Sequence, residues 1–176
     1  MSIQQFYQKI IPLNYIVRYS NVPRIKDETV AAHSFLVSAI VIKLADYYKF
    51  DIGKAVIMAV CHDMPEYDVN DTTHATKQKY PKIAKALQEA EFYALSSMPI
   101  IVQEAWTEFE TGETVEAKIV KLADVLQCSQ YAENECLLGN FGYMRQVVNN
   151  SNNRAKELFK ELESYQHGDN YNHGDR

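Results

Sequence analysis

Glycine is scarce in this sequence of 176 residues. Only six glycines occur, and four of them lie at or beyond Gly139. Because glycine weakens helices, its near-absence from the first three quarters of the chain leaves long stretches in which helical periodicity runs uninterrupted. The chain shows neither the alternating pattern of β-strands nor an internal repeat. These features favour an all-α fold.

Positive charge is also in short supply. The chain has 18 lysines and arginines against 23 aspartates and glutamates, which gives a formal net charge of −5. Nucleic acids and anionic membranes both bind clustered positive charge. We therefore expect neither a nucleic-acid polymer nor a membrane as a partner. A small anionic ligand remains compatible with the sequence, since it requires only a local basic pocket.

Signals for export and for disulfides are missing. The three cysteines, Cys61, Cys128 and Cys136, are odd in number and show no CxxC spacing, which is typical of reduced thiols. Residues 1–5 lack the basic start and apolar run of a signal peptide. No apolar run approaches the ~18 residues of a membrane span. We expect a cytoplasmic protein.

Periodicity divides the chain into about six or seven helices in one domain. In residues 29–49 the apolar positions recur at three- and four-residue spacing, at Leu36, Ile40, Leu44 and Tyr47. Asp51 is predicted to cap the next helix, and the polar residues 64–80 are predicted to be an ordered loop or broken helix. The predicted helices are 2–11, 29–49, 51–62, 81–97, 99–110, 113–137 and 142–165. Residues 1–165 form the predicted single-domain bundle, and residues 166–176, which contain a repeated His-Gly-Asp, are predicted to be a disordered tail.

Four polar residues stand where a helical core would exclude them. His33 lies three residues before Leu36 and points into the apolar stripe of its helix. His62 and Asp63 close the helix that begins near Asp51, and Asp124 stands at the edge of the apolar stripe in 119–123. Singly, each has a simpler interpretation: a hydrogen-bonded core histidine, a helix-ending aspartate, or an aspartate paired with a neighbouring lysine.

Together, the four residues predict a metal site. Buried carboxylates are costly unless a cation or hydrogen bonds compensate them. Two imidazoles and two carboxylates suit a divalent transition metal or magnesium and leave coordination positions open, as a catalytic metal requires. Binding should weaken below about pH 6, because an imidazole must be neutral to bind a metal.

The order His33, His62-Asp63, Asp124 resembles the signature of the HD superfamily of metal-dependent phosphohydrolases. The context is similar to the bacterial 5′-deoxynucleotidase branch, which includes phage dATP triphosphohydrolases, over roughly residues 3–145. The segments that carry this resemblance are Arg18-Tyr19, Glu28-Thr29-Val30-Ala31-Ala32-His33-Ser34, His62-Asp63-Met64-Pro65-Glu66, Asn70-Asp71, Lys77 and Lys121-Leu122-Ala123-Asp124. Tyr19 stands where these families usually carry tryptophan, and Ala75-Thr76 replace the bacterial Pro-Val.

The resemblance implies an HD-type bundle, a deoxynucleotide substrate and a divalent ion (cobalt, manganese, zinc, nickel or magnesium). It implies metal ligation by His33, His62, Asp63 and Asp124. It further implies that Arg18 contacts phosphate, that Glu66 and Asp71 orient or activate water and substrate, and that Tyr19 forms part of the wall around the sugar. We also expect a homo-oligomer of two chains or more.

Charge around the site also bears on the substrate. Lys77 is the nearest phosphate candidate in a lysine cluster that continues with Lys79, Lys82 and Lys85. The predicted reaction is cleavage of the 5′-phosphoester to release a deoxynucleoside, and the lysines tilt the choice toward a dATP or dNTP triphosphohydrolase. The alternatives are a 5′-deoxynucleotidase acting on monophosphates and a non-catalytic nucleotide-binding regulator. A metal-free helical interaction module would require His33 and Asp124 to lie apart.

Overall fold

Helices account for most of residues 1–166, the part of the chain that the computed structural model describes. They are α1 (Ile3–Ile10), α2 (Val30–Leu44), α3 (Ile52–Cys61), α4 (Glu66–Val69), α5 (His74–Lys79), α6 (Pro81–Leu95), α7 (Ile100–Thr111), α8 (Val115–Leu137) and α9 (Gly142–Leu162), with 3-10 turns at Ile11–Asn14 and Glu163–Tyr165. Within these residues no sheet forms, only two isolated β-bridges. The all-α prediction is confirmed. The helix count exceeds the predicted six or seven because the region 64–80 contains the two short helices α4 and α5.

The helices that carry the predicted site begin at side-chain caps. Thr29, Asp51 and Thr114 each accept a hydrogen bond from the backbone N–H three residues later. Such caps satisfy N–H groups that have no partner within the helix, and each stabilises it by about 1 kcal/mol. They also fix where α2, α3 and α8 start, and therefore which residues of each helix face the interior.

The main core lies where α2, α3 and α8 meet, and α9 covers it. Its fully buried members include Val37 of α2, Met58 of α3, Ile119 and Leu122 of α8, and Leu162 of α9. None of the helices in the described residues combines the length and apolarity needed to cross a membrane.

The predicted apolar stripe of α2 is partly wrong. Leu36 and Tyr47 are exposed, and the helix ends at Leu44, whereas periodicity extended it to residue 49. The buried face runs through Val30, His33, Val37, Val41 and Leu44. Because α2 is apolar around most of its circumference, periodicity could not select the face that packs. The chain turns after α2, and Tyr48 is buried in a β-bridge with Gln166.

The loop that precedes α2 is fastened to α8. Glu135 accepts hydrogen bonds from the backbone N–H groups of Ile25 and Lys26, at 2.7 and 2.8 Å, and the Tyr131 hydroxyl donates to the Lys26 carbonyl at 2.7 Å. Residues 18–28 therefore lie against α8, next to the predicted site. Apart from Gln166, the predicted disordered tail 166–176 lies outside the described residues.

Candidate metal centre and substrate cavity

The four predicted metal ligands converge at the centre of the bundle. The Nε2 atom of His33 lies 3.2 Å from Nε2 of His62, 3.2 Å from Oδ1 of Asp124 and 3.4 Å from Oδ2 of Asp63. Nε2 of His62 lies 3.2 Å from the same Asp63 oxygen. A metal-free helical interaction module would require His33 and Asp124 to lie apart, and this geometry does not meet that requirement.

Three different helices supply these side chains. His33 lies in the first turn of α2 and is completely buried, His62 is the C-terminal cap of α3, and Asp63 directly follows it. Asp124 lies in the middle of α8, and the thiol of Cys128, one turn later, lies 3.4 Å from its Oδ1. The atoms of His33, His62 and Asp63 that could bind a metal all lie within 4.8 Å of one another. The same holds for those of His33, Asp124 and Cys128.

The hydrogen bonds around the imidazoles indicate which ring nitrogens face the cluster as acceptors. Nδ1 of His62 lies 2.7 Å from the Ala59 carbonyl oxygen, and a carbonyl can only accept. Nδ1 of His33 lies 2.7 Å from Oε1 of Gln127. With both Nδ1 atoms as donors, the two Nε2 lone pairs face two carboxylates, which is an arrangement that a cation stabilises. The residues present therefore fit a divalent metal.

The electrostatics of the cluster also favour a positive charge. Burial alone would raise the pKa of the aspartates, but the adjacent histidines outweigh it: the pKa of Asp63 lies well below its usual range, and that of Asp124 is lowered to about 2. Burial disfavours a charged His62, yet Asp63 and Asp124 raise its pKa to about 9. Without a metal, a proton on His62 takes the place of the cation.

A cavity of about 410 Å³ opens beside the cluster, within the size range of small-molecule sites. His62, Asp63 and Asp124 form part of its wall, while His33 lies behind them. All the residues predicted to serve substrate or catalysis also line it, namely Arg18, Tyr19, Glu66, Asp71 and Lys77. The structure thus brings the sequence-predicted residues together around one cavity.

Arg18 is largely engaged by protein groups. Its Nη1 donates to Oε2 of Glu28 at 3.1 Å and to Oε1 of Gln127 at 3.3 Å, and its Nη2 lies 3.3 Å from the Cys128 sulfur. The Nε group is buried and has no hydrogen-bond partner among residues 1–166. The predicted contact between Arg18 and phosphate stays a prediction, since most of this guanidinium faces the groups behind His33.

Tyr19 is held in an unusual backbone conformation. Its φ of 57° lies in the left-handed region, which costs free energy for a residue other than glycine. The backbone N–H donates to Oδ2 of Asp71 at 3.0 Å, and the ring stacks on Tyr131 with centroids 5.5 Å apart. Asp71 therefore fixes the position of Tyr19 as well as lining the cavity. Tyr143 meets the same ring edge-on, 6.4 Å away.

Glu66 lies beside the cluster without a continuous helix to hold it there. The helix α3 ends at Cys61, and a turn containing Pro65 leads into α4, with Glu66 N–H donating to the Asp63 carbonyl at 3.1 Å. Its side chain is buried, and Oε2 has no hydrogen-bond partner in the described chain. Burial, together with the charges of Asp63 and Asp71, raises its pKa well above the usual range. Glu66 is thus suited to hold and donate a proton.

The lysine cluster is only partly at the site. Lys77 lines the cavity, and its Nζ lies 3.3 Å from Oε1 of Glu91. The side chains of Lys79, Lys82 and Lys85 are exposed and lie outside the cavity wall. The expectation that the lysines following Lys77 supply charge to a longer phosphate chain is therefore not met by their positions.

Several residues at the site escaped the sequence reasoning. Gln127 lies on the buried face of α8, four residues after Ala123, so a polar residue in a buried stripe was the available signal. Glu28 stood inside a quoted motif without a role. Glu91 and Arg154 line the cavity from α6 and α9, and nothing in their spacing distinguishes them from surface charges.

The fold and the site together define an all-α protein with a buried His/Asp centre suited to a divalent metal. The chain belongs to the HD domain family, whose model matches residues 12–163. This confirms the resemblance stated from the motif.

Curated relatives and solved structures agree with this assignment. The human 5′-deoxynucleotidase HDDC2 is 27% identical over 146 residues, which cover 76% of this chain and 70% of the human protein. A Pyrococcus horikoshii protein of known structure superimposes with a TM-score of 0.78 at 24% identity, covering 92% of this chain and 95% of that one. An HD-domain phosphohydrolase from Listeria innocua gives a TM-score of 0.73 at 20% identity, covering 92% and 83%.

Proposed function

We propose that this HD phosphohydrolase hydrolyses 2′-deoxynucleoside 5′-monophosphates and releases phosphate and a deoxynucleoside. The observation that carries the proposal is a single cavity in which the His/Asp centre, the buried carboxyl of Glu66 and the ammonium of Lys77 all meet. The deoxynucleotide specificity is proposed from the names of the curated relatives, together with Tyr19 at the cavity wall.

The residues divide the chemistry among them. A divalent ion held by His33, His62, Asp63 and Asp124 would supply Lewis-acid chemistry, polarising the phosphoryl group and making water a stronger nucleophile. Water attacks phosphorus and the bond to the 5′-oxygen breaks; one proton of the water stays on the orthophosphate product, and the other replaces the proton that Glu66 donates. The raised pKa of Glu66 suits it to give its proton to that leaving oxygen.

Two further side chains act on the substrate. Lys77, which lines the cavity, offsets part of the phosphate charge. Tyr19, fixed by Asp71 and by its stack on Tyr131, forms a rigid part of the cavity wall that would exclude a 2′-hydroxyl. Rigid walls of this kind select by exclusion, and they are most effective when the backbone that carries them is itself fixed.

The charge of the cavity favours a monophosphate. The cationic side chains in its wall are Arg18, Lys77 and Arg154, whereas its carboxyl groups are Asp63, Glu66, Asp71, Glu91, Glu110 and Asp124. A triphosphate brings roughly two to three additional negative charges. Since Lys79, Lys82 and Lys85 lie outside the wall, the main argument for dATP or another dNTP loses its support.

A panel of substrates tests the proposal. Deoxy- and ribonucleoside mono- and triphosphates are incubated with the protein, with and without EDTA, and the products are separated by chromatography. We expect orthophosphate from dAMP, little turnover of AMP, and none after EDTA. Tripolyphosphate released from dATP with dAMP untouched would establish the triphosphohydrolase instead. Binding of dAMP without turnover of any compound would establish the non-catalytic regulator.

A further inference from the structure

Gln127 and Glu28 form a buried hydrogen-bonded chain behind His33. Gln127 lies on α8 almost one turn after Asp124, and Glu28 directly precedes the cap of α2; they are 4% and 8% exposed. The amide nitrogen of Gln127 donates to Oε1 of Glu28 at 2.5 Å, and its amide oxygen lies 2.7 Å from Nδ1 of His33. Neither Gln127 nor Glu28 lines the cavity, so substrate binding does not account for them.

Glu28 determines which groups donate and which accept along this row of hydrogen bonds. An ionised carboxylate only accepts hydrogen bonds, so the amide nitrogen of Gln127 must face Glu28 and its oxygen must face His33. Arg18 reinforces this order, because its Nη1 donates both to Glu28 Oε2 and to Gln127 Oε1. The amide oxygen then requires a donor from the imidazole, which places the hydrogen of a neutral His33 on Nδ1 and leaves the lone pair on Nε2.

One contact of His33 favours the opposite tautomer. Nη1 of Arg18 also lies 2.5 Å from Nδ1 of His33, and donation from arginine would place the imidazole hydrogen on Nε2. In that tautomer, however, the Gln127 oxygen and the Nδ1 lone pair would face each other at 2.7 Å with no hydrogen between them. In the tautomer with hydrogen on Nδ1, Nη1 makes no hydrogen bond to the imidazole, and its hydrogens are directed to the acceptors on Glu28 and Gln127. Moreover, Nε2 would carry its hydrogen toward the position of the metal.

We propose that Gln127 and Glu28 are positioning residues, which lock His33 in the tautomer with hydrogen on Nδ1 so that Nε2 is free to bind the metal. The inference rests on the metal centre of the proposed function. Groups that hold a ligating histidine in this way typically change metal affinity by 10- to 100-fold when removed.

Exchanging the two side chains tests the direction of the chain. Gln127→Met removes all three hydrogen bonds of the amide, to Glu28, His33 and Arg18, with little change in volume. Gln127→Glu sets two carboxylates against each other, and Glu28→Gln removes the group that orients the amide. In the double variant Glu28→Gln/Gln127→Glu, the amide at position 28 donates to the carboxylate at position 127, which again accepts from His33. Gln130→Met, at an exposed glutamine of the same helix, is the matched control.

Two measurements are made on each folded variant, with folding checked by circular dichroism. The first is the ¹⁵N chemical shifts of His33 in metal-free protein, which report the tautomer directly. The second is the affinity for Mn²⁺ by calorimetry at one fixed pH. We expect hydrogen on Nδ1 in the wild type, about 10- to 100-fold weaker Mn²⁺ binding in Gln127→Met and Gln127→Glu, recovery of most of this loss in the double variant, and no change in Gln130→Met.

Other outcomes separate this inference from the proposed function. Hydrogen on Nε2 in the wild type, or unchanged Mn²⁺ affinity in Gln127→Met, would overturn the positioning role even if hydrolysis were normal. Failure of the double variant to regain affinity, although folded, would also contradict it. A wild type that binds Mn²⁺ with the expected tautomer but hydrolyses no nucleotide would leave this inference intact and would refute the proposed function.

Discussion

Replacing Glu66 with glutamine separates catalysis from stability. The Glu66 carboxyl is buried, its Oε2 is without a partner among the described residues, and burial and its acidic neighbours raise its pKa. It therefore keeps its proton above the pH at which an unfolded glutamate loses it. Glutamine has nearly the shape of a protonated glutamate, so Glu66→Gln should fold normally and keep its metal.

The pH dependence of the unfolding free energy follows from this shift. The folded pKa lies above the unfolded value, so the proton on Glu66 stabilises the fold fully below the unfolded pKa of about 4.3. This contribution is lost as the pH rises through the folded pKa. Between the two values, the wild type loses about 1.4 kcal/mol per pH unit from this group. Glu66→Gln has no such titrating group. Its free energy of unfolding, relative to that of the wild type, should therefore rise with pH between these two values at the same rate.

Urea denaturation in EDTA at about pH 5 and pH 6 measures the difference. The free energy of unfolding of Glu66→Gln, minus that of the wild type, should increase over that interval, by at most about 1.4 kcal/mol. At the same time kcat should fall by about 10²- to 10⁴-fold, the usual effect of losing a general acid, with metal content unchanged. Glu89→Gln, at an exposed position of α6, should change neither quantity. A variant that is less stable at the higher pH, or that retains its rate, would refute the assignment.

The remaining predictions concern metal, phosphate and sugar. Asp63→Ala should abolish both bound metal and hydrolysis, and stoichiometric metal in that variant by elemental analysis would contradict the assigned centre. The neighbouring carboxylates raise the pKa of His62 to about 9 in the metal-free protein, so a metal must displace a proton from it. Apparent metal affinity should therefore rise by up to about tenfold per pH unit until about pH 9, whereas an unperturbed imidazole would weaken binding only below about pH 6. Calorimetry at neutral pH in two buffers should detect about one released proton. Lys77→Ala should weaken catalysis on dAMP by roughly ten- to a hundredfold in kcat/KM, as for the loss of one charge-assisted contact, while Lys82→Ala, outside the cavity, should leave it unchanged. Tyr19→Ala should raise turnover of AMP relative to dAMP without lowering metal content; an unaltered ratio would remove Tyr19 from sugar selection.

Much of the fold and of the metal centre was predictable because its signals lie within short segments of sequence. The caps at Thr29 and Asp51 mark helix starts by side-chain chemistry alone, and polar residues within apolar helical stripes single out His33 and Asp124. A His-Asp pair at the end of an apolar helix is not distinctive by itself. The convergence of His33 with Asp124 is a tertiary fact, which the sequence predicted from the four residues taken together and from the resemblance to a family. The same applies to the homo-oligomer, which stays a prediction.

The features that the sequence did not predict depend on which way side chains face and on contacts between distant residues, and residue spacing specifies neither. Leu36 was assigned to the apolar stripe of α2, and Lys79 was counted in the lysine cluster that favoured a triphosphate. Both point to solvent, because an almost wholly apolar α2 and a short α5 leave the packing face to tertiary contacts. Glu28 and Gln127 lie 99 residues apart in the chain, and no periodicity links them. Their pairing appears only once α8 is placed against the start of α2.

The metal centre and the proposed phosphate-binding lysine lie on different parts of the fold, because Lys77 belongs to the short helix α5. The His/Asp centre is built on α2, α3 and α8, which share the main core, whereas Lys77 lies on six residues between a polar loop and α6. Substitutions in this segment are therefore expected to alter what the cavity binds without disturbing the helices that carry the centre. Substrate preference and metal binding then depend on separate parts of the chain, so that one can be changed without rebuilding the other.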